Sequence, residues 1–198
     1  MSPAIVPIVE GHAETESVPV LLRRVFASMD VCDIPIARPF RVSRTRVVKE
    51  NEIERTLRQA IRSRENVGCI LVILDSDDDC PAKLGPELLK RCKSETQLPV
   101  AVILAKREFE SWFLSAKESL RGVRGIRDDA CVPQNPEEIS GAKERLSQNM
   151  ENNRRYLNVV DQPALAAKMD FESARERCPS FRRFMREVGR LVSELNRL

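Results

Sequence analysis

The stretch GCILVILDSDDDC, residues 68–80, determines the fold that we predict for this chain. Its apolar run from Cys69 to Leu74 is rich in Ile, Leu and Val, which is typical of a strand buried on both faces of a parallel sheet. The run ends in four carboxylates, at Asp75, Asp77, Asp78 and Asp79. Open α/β sheets bind their ligands at the carboxyl ends of their strands. The stretch therefore predicts a ligand site at this strand end.

The acidic cluster favours a cation as the ligand. Two carboxylates about 4 Å apart repel by roughly 4 kcal/mol at an effective dielectric constant of about 20, so a close group takes up protons, spreads into water or binds metal. Carboxylates without a nearby histidine or cysteine pair favour Mg²⁺, Mn²⁺ or Ca²⁺ over Zn²⁺. The alternative is a solvated acidic turn, because aspartate is common in turns.

Length and composition indicate a single intracellular domain. A chain of 198 residues buries about 70% of its unfolded surface. Six cysteines without a CxxC pair indicate reduced thiols and a cytoplasmic location. The apolar run at residues 4–9 is too short to span a membrane and lacks a basic leader, so no membrane partner is expected. A net charge of +3 excludes binding of nucleic acid through overall charge alone.

Strand and helix patterns alternate along the first half of the chain. Apolar runs predict three strands, at residues 4–9, 69–74 and 100–105. Helical spacing of apolar residues predicts a first helix over residues 18–29, with Ser17 as its N-cap. Pro7 conflicts with a fully paired central strand, because proline has no backbone N–H to donate. The sequence leaves that conflict open.

The alternation predicts an α/β fold, in which a Rossmann-like parallel sheet is flanked by helices. Residues 1–122 are expected to form this core, and residues 123–198 a helical C-terminal extension packed on it, in one domain overall. The carboxyl ends of parallel strands share one edge of the sheet. That edge is predicted to bring Glu10, after the first strand, close to Asp75 and Asp77.

A glutamate after the first strand and an Asp-x-Asp after a later strand resemble the metal site of the Toprim superfamily, which holds Mg²⁺ for phosphodiester chemistry in topoisomerases, primases and nucleases. The matching residues are Glu10, Asp75 and Asp77. Within that superfamily the chain is similar to a bacterial family of unknown function with VPIVEGHGE-like, LxDxDDDCP and AKREFEAWFL-like motifs. Their counterparts lie at residues 6–14, 74–81 and 105–114, and shorter matches follow at residues 119–122, 141–143, 156, 161–163 and 180–181. Ala13 departs from the pattern, since glycine is expected there, and so does Arg145 in place of tryptophan.

The resemblance implies a Toprim-like nuclease or phosphodiesterase that depends on Mg²⁺ or Mn²⁺. Five carboxylates are the candidate metal ligands: Glu10, Asp75, Asp77, Asp79 and Glu110. Four residues are the candidates for catalysis: Glu10, Glu14, His12 and Lys106. The glutamates would serve as a base or hold a second ion, the histidine would carry a proton, and the lysine would meet a phosphate as a point charge.

Arginines provide candidate contacts to a nucleic acid. Forked hydrogen bonds from a guanidinium group suit phosphate oxygens, and the candidates are Arg41, Arg44 and Arg46. Each candidate also has a purely structural interpretation. Glu14 complements a helix dipole, His12 lies on a surface loop, Lys106 ends a strand in water, and the arginines form a solvated face.

The resemblance leaves the biological role open between two classes. One is a nuclease that acts on DNA or RNA, in bacterial defence against phage, beside a partner ATPase or as a homodimer. The other is a non-catalytic Toprim-like binding or regulatory subunit of such a complex. A phosphotransfer receiver domain fits poorly, because it needs an acid pair directly after the first strand, whereas Glu10 is followed by Gly11.

Overall fold

A single parallel sheet forms the centre of the protein. The computed structural model describes residues 2–197, except for the side chain of Arg44. Within those residues the sheet has four strands, β1 Ala4–Val9, β2 Phe40–Arg41, β3 Val67–Asp75 and β4 Val100–Ala105. They lie in the order β2-β1-β3-β4, and every neighbouring pair is parallel. The predicted α/β class with a parallel sheet is confirmed.

Helices cover both faces of the sheet. In chain order they are α1 Glu14–Ser28, α2 Arg44–Val47, α3 Glu52–Arg62, α4 Pro81–Glu95, α5 Ser111–Ser115, α6 Ala142–Gln148, α7 Asn158–Ala166, α8 Phe171–Arg177 and α9 Pro179–Leu195. Successive side chains of a strand point to opposite faces, so a strand covered on both faces is apolar throughout. Leu71 and Ile73 of β3 accordingly pack in one apolar cluster, and Ile70 and Val72 in the other.

The two apolar clusters differ in size. The smaller cluster lies under α3 and α4 and includes Leu57 and Leu88. The larger cluster joins α1 to the C-terminal helices and includes Leu22, Trp112 and Phe184. The Trp112 ring lies 5.3 Å from that of Phe184, and its indole Nε1 donates to the Ser180 hydroxyl at 2.8 Å. The helical C-terminal part therefore shares its core with the sheet.

Pro7 is compatible with strand β1 because its backbone nitrogen faces β2, the neighbour with which β1 pairs only in part. The Ile5 amide donates to the Pro35 carbonyl, on the β2 side of the strand. Because the direction of backbone hydrogen bonds alternates along a strand, Pro7 also faces that side. There β1 pairs with β2 only from Ile8 onward, apart from an isolated bridge at Ile5. Pro7 therefore lacks its N–H at a position of β1 where β2 offers no paired residue.

The predicted N-cap of the first helix is wrong. Helix α1 begins at Glu14 with Ala13 at the cap position, and Ser17 lies inside the helix, fully buried. Its hydroxyl donates to the Gln162 side chain at 2.7 Å. Ala13 has φ −68°, so the position where glycine was expected needs no left-handed backbone.

No helix among residues 2–197 has the length and apolar character needed to cross a membrane. All six cysteines are free thiols, of which Cys32, Cys80 and Cys131 are exposed.

Candidate active site

Acidic residues meet at the carboxyl edge of the sheet. Glu10 directly follows β1, and Asp75 is the last residue of the neighbouring strand β3. Glu10 Oε2 accepts a hydrogen bond from the Asp75 amide at 3.4 Å. The parallel arrangement of the strands therefore brings Glu10 and Asp75 together, as predicted from the strand ends.

The carboxyl group of Asp75 lies in an environment that disfavours its charge. Its Oδ1 accepts a hydrogen bond from the Phe109 amide at 2.8 Å, which holds it against the segment after β4. Removal from water raises the pKa of Asp75 well above its usual range, and the nearby Glu110, Glu10 and Glu14 raise it further. Lys143 acts in the opposite direction. These four carboxyl groups thus form one electrostatically coupled cluster, which we call the acidic cluster.

Gln162 connects two members of the acidic cluster. Its Nε2 donates to Glu14 Oε1 at 3.0 Å and to Glu110 Oε1 at 3.2 Å. The hydrogen bond from Ser17 to Gln162 Oε1 fixes which end of the amide faces the carboxylates. Gln162 and Glu110 are fully buried. One amide of α7 therefore ties together a residue of α1 and the residue that precedes α5.

Glu110 has the least solvent-exposed side chain of the acidic cluster. Its Oε1 also accepts a hydrogen bond from the Tyr156 hydroxyl at 3.2 Å. Burial raises the pKa of Glu110 to about 7, Lys143 partly offsets that rise, and Glu14 adds to it. A carboxyl group with such a pKa exchanges its proton near neutral pH, as a general base or acid must.

Lys143 is the cation of the acidic cluster. Its Nζ lies 3.7 Å from Glu110 Oε2 and 3.6 Å from Glu108 Oε2. Its side chain is 41% exposed. Burial lowers the pKa of Lys143, but Glu110 and Asp75 outweigh that effect, so its pKa lies above the usual value. Lys143 thus remains charged while it faces the acids.

Among the residues that the structure describes, two buried carboxylate oxygens have no hydrogen-bond donor, namely Glu14 Oε2 and Glu110 Oε2. Buried polar atoms without a partner are uncommon and call for a ligand or a strained arrangement. The Glu14 carboxylate lies against the turn after β1, where a Cβ on Gly11 would be 2.1 Å from Glu14 Oε2. In the described residues, however, no group of three or more acidic, His or Cys side chains is arranged around one point as a metal site.

The loops after β3 and β4 hold each other in unusual conformations. Asp77 has φ 49° and Arg107 has φ 61°, both in the left-handed region. The Asp77 amide donates to the Arg107 carbonyl at 3.1 Å, and the Arg107 amide donates to the Ser76 hydroxyl at 2.9 Å. Such backbone conformations persist when surrounding contacts enforce them. Asp77 and Asp79 themselves are exposed on this turn, beside the acidic cluster.

Two other predicted catalytic residues lie outside the buried acids. His12 is exposed in the turn before α1, and its carbonyl accepts from the Thr15 hydroxyl at 2.6 Å. The Lys106 ammonium group pairs with Glu138. Their catalytic roles stay predictions.

Two of the predicted arginines line a cavity that also contains Glu10 in its wall. A cavity of about 400 Å³, lined by Glu10 together with Arg41, Arg46 and Arg55, opens between β2 and α3; we call it the arginine cavity. Arg46 also pairs with Glu52 at 3.0 Å. The side chain of Arg44 lies outside the described part of the chain. The structure thus places two of the three predicted arginines in the lining of a cavity that Glu10 also lines.

Three further residues belong to the site, namely Lys143, Tyr156 and Gln162. The sequence assigned no role to Lys143 and Gln162, and it left Tyr156 open between an anchor of the helical part and a ligand contact. Each falls in one of the short segments that extended the family resemblance. The sequence signal was the polar amide of Gln162 and the hydroxyl of Tyr156 among apolar residues, because such groups need a hydrogen-bond partner when they are buried. Their partner acids are distant in sequence, so no local pattern reveals them.

The fold and the site together define an α/β protein with a Rossmann-like parallel sheet and an acidic cluster at its carboxyl edge. Residues 9–189 match the family described as a domain of unknown function, DUF4276, and the chain belongs to that family. All four acids of the cluster lie in the matched range. Comparisons with curated proteins and with solved structures gave no significant match.

Proposed function

We propose that this protein is a Mg²⁺- or Mn²⁺-dependent phosphodiesterase of Toprim type that cleaves nucleic acid. The observation that carries the proposal is the acidic cluster, in which burial and neighbouring carboxyl groups raise the pKa of Asp75 and Glu110, and two buried oxygens have no hydrogen-bond donor. Carboxylates held close together in a site of low polarity gain stability when a cation neutralises them.

The donor set suits a hard divalent cation. Glu10, Glu14, Asp75 and Glu110 offer oxygen ligands only, which Mg²⁺ and Mn²⁺ prefer. To bind an ion together these side chains must turn toward one point, and Glu14 Oε2 and Glu110 Oε2 are the oxygens that accept no hydrogen bond. Asp77 and Asp79 on the adjoining turn are candidates for further ligands. A bound ion would supply Lewis-acid activation of a phosphate and of a water molecule.

The residues around the acidic cluster have complementary roles in the proposal. Arg41 and Arg46 bind phosphate oxygens in the arginine cavity, which Glu10 joins to the acids. Glu110, whose pKa is about 7 without a metal ion, is the candidate to accept a proton from the attacking water if it lies outside the ion's ligand shell. His12, exposed in the turn before α1, and Lys106, paired with Glu138, are the candidates for proton carrier and point charge.

Metal-dependent cleavage is the direct test. Plasmid DNA, single-stranded DNA and RNA are incubated with the protein and Mg²⁺ or Mn²⁺, and the products are separated on gels. Asp75→Ala and Glu10→Ala should each lower the rate by at least about 100-fold, because removing even an outer partner of a metal ligand costs 10–100-fold. Glu16→Ala serves as the matched control, since Glu16 is an exposed acid of α1.

The outcome also separates the two classes of function. Cleavage that survives both Asp75→Ala and Glu10→Ala would contradict the proposal. If the wild-type protein binds metal in calorimetry but cleaves no substrate, the non-catalytic subunit becomes the better proposal. We further propose a cytoplasmic location, supported by the six free thiols, and a role in phage defence beside a partner ATPase, supported only by the resemblance.

A further inference from the structure

A second polar cavity adjoins the acidic cluster and has no role in the function proposed above. Its volume is about 480 Å³, and its lining residues come from α6, from α7 and from the segment between them. They include Lys143, Glu144, Ser147, Arg155, Tyr156 and Asn158. We call it the α6–α7 cavity. Its volume lies in the range that small-molecule and nucleotide sites occupy.

The wall of the α6–α7 cavity contacts the acids directly. The Lys143 ammonium group lies 3.7 Å from Glu110, and the Tyr156 hydroxyl donates to the same carboxylate at 3.2 Å. The arginine cavity, by contrast, reaches the acids through Glu10. Two separate cavities with cationic walls therefore approach one acidic cluster, each through a different acid.

The chemistry of the α6–α7 cavity suits a phosphate group. Lys143 and Arg155 are its cations, against one carboxylate, Glu144. The guanidinium group of Arg155 is an exposed, forked donor, a geometry that matches phosphate oxygens. The Asn158 Oδ1 accepts from the Val159 amide at 3.0 Å, which orients the amide NH₂ group of Asn158 as a further donor.

We propose that the α6–α7 cavity binds a backbone phosphate of a polynucleotide whose chain also occupies the arginine cavity and crosses the acids between them. This proposal rests on the proposed function and specifies its substrate as a polynucleotide chain, because a chain that spans both cavities carries backbone phosphates on either side of the cleaved bond. Arg155 is then a phosphate-binding residue on the far side of the cleaved bond from Arg41.

Equilibrium binding without metal tests the proposal separately from catalysis. A fluorescein-labelled single-stranded oligonucleotide of about 12 nucleotides, within the range that single-strand-binding domains cover, is titrated with the 198-residue protein in EDTA. Arg155→Ala should weaken binding about tenfold, as expected for loss of a charged hydrogen bond. The slope of log K against log salt should fall by about 0.7, the value for one phosphate contact on a single strand. Arg186→Ala, an exposed arginine of α9, is the matched control and should change neither quantity.

Each result has a defined meaning. If Arg41→Ala weakens binding but Arg155→Ala leaves affinity and salt slope unchanged, the cavity proposal is overturned and the proposed function stands. If Arg155→Ala has the expected effect but the wild-type protein cleaves nothing with Mg²⁺ or Mn²⁺, the cavity binds polynucleotide and the hydrolase proposal fails. Absence of oligonucleotide binding by the wild-type protein overturns the cavity proposal outright.

Discussion

At the scale of single residues, Glu110 links the chemistry of the site to the stability of the protein. Its pKa rises from the ordinary 4.5 to about 7 in the folded state, so the folded protein holds this proton more tightly than the unfolded chain. Stability from this group is therefore full below about pH 4.5 and is lost as the pH rises toward 7. A site selected only for stability would avoid that loss.

The pH dependence of unfolding should reveal this effect in metal-free buffer. Between pH 5 and 8 the wild-type protein should lose about 2–3 kcal/mol more unfolding free energy than Glu110→Gln, as measured by urea denaturation. Glutamine keeps an Oε1 atom that accepts from Tyr156 and Gln162 but carries no charge. Parallel stability profiles for the two proteins would show that Glu110 titrates normally. Glu118→Gln, at an exposed glutamate, provides the control.

At the scale of elements, the three long strands were predictable from the sequence, whereas the short edge strand β2 and part of the site were not. β1 and β4 match their apolar runs at both ends, because a strand buried on both faces must be apolar throughout. Ser17 misled the prediction of α1, because a serine before an apolar helical pattern resembles a cap. In the folded protein it bonds to Gln162, 145 residues later, and such a long-range partner leaves no local signal.

In the turn between β1 and α1, Gly11 lies against the carboxylate of Glu14. A Cβ on Gly11 would lie 2.1 Å from Glu14 Oε2, and the Gln162 hydrogen bond holds that carboxylate in place. Gly11→Ala should therefore displace Glu14 and destabilise the protein by about 1–3 kcal/mol, the cost of breaking a buried charged hydrogen bond. Urea denaturation measures the change.

Another glycine supplies the control for this turn. Gly189 lies inside α9, where a Cβ would meet only the flexible end of Met29 at 3.4 Å. Gly189→Ala should raise stability by up to about 1 kcal/mol, because alanine favours a helix interior. Equal effects of the two substitutions would mean that the position of Glu14 does not depend on Gly11.

At the scale of the whole molecule, the sheet and the C-terminal helices depend on one shared core. Five large apolar side chains of α9 are buried in the cluster that also contains Trp112, namely Phe181, Phe184, Val188, Leu191 and Leu195. Burial of each contributes about 1.5–3 kcal/mol. Their sum is comparable with the entire stability of a typical domain, about 5–15 kcal/mol. The C-terminal half also supplies Gln162, Tyr156 and Lys143, which contact acids of the acidic cluster.

A fragment of residues 1–122 should therefore fail to fold, although it contains the whole sheet. Without α9 the Trp112 ring loses its contacts with Phe181 and Phe184, and the face of β4 opposite α4 is exposed to water. We expect the fragment to lack a near-ultraviolet circular dichroism signal and a cooperative urea transition. A chain that ends at Leu195 retains the complete α9 and should unfold cooperatively, like the full chain. A cooperative transition of the 1–122 fragment would instead show that the sheet is an autonomous core, to which the helical part with Gln162 and Lys143 adds only the completed site.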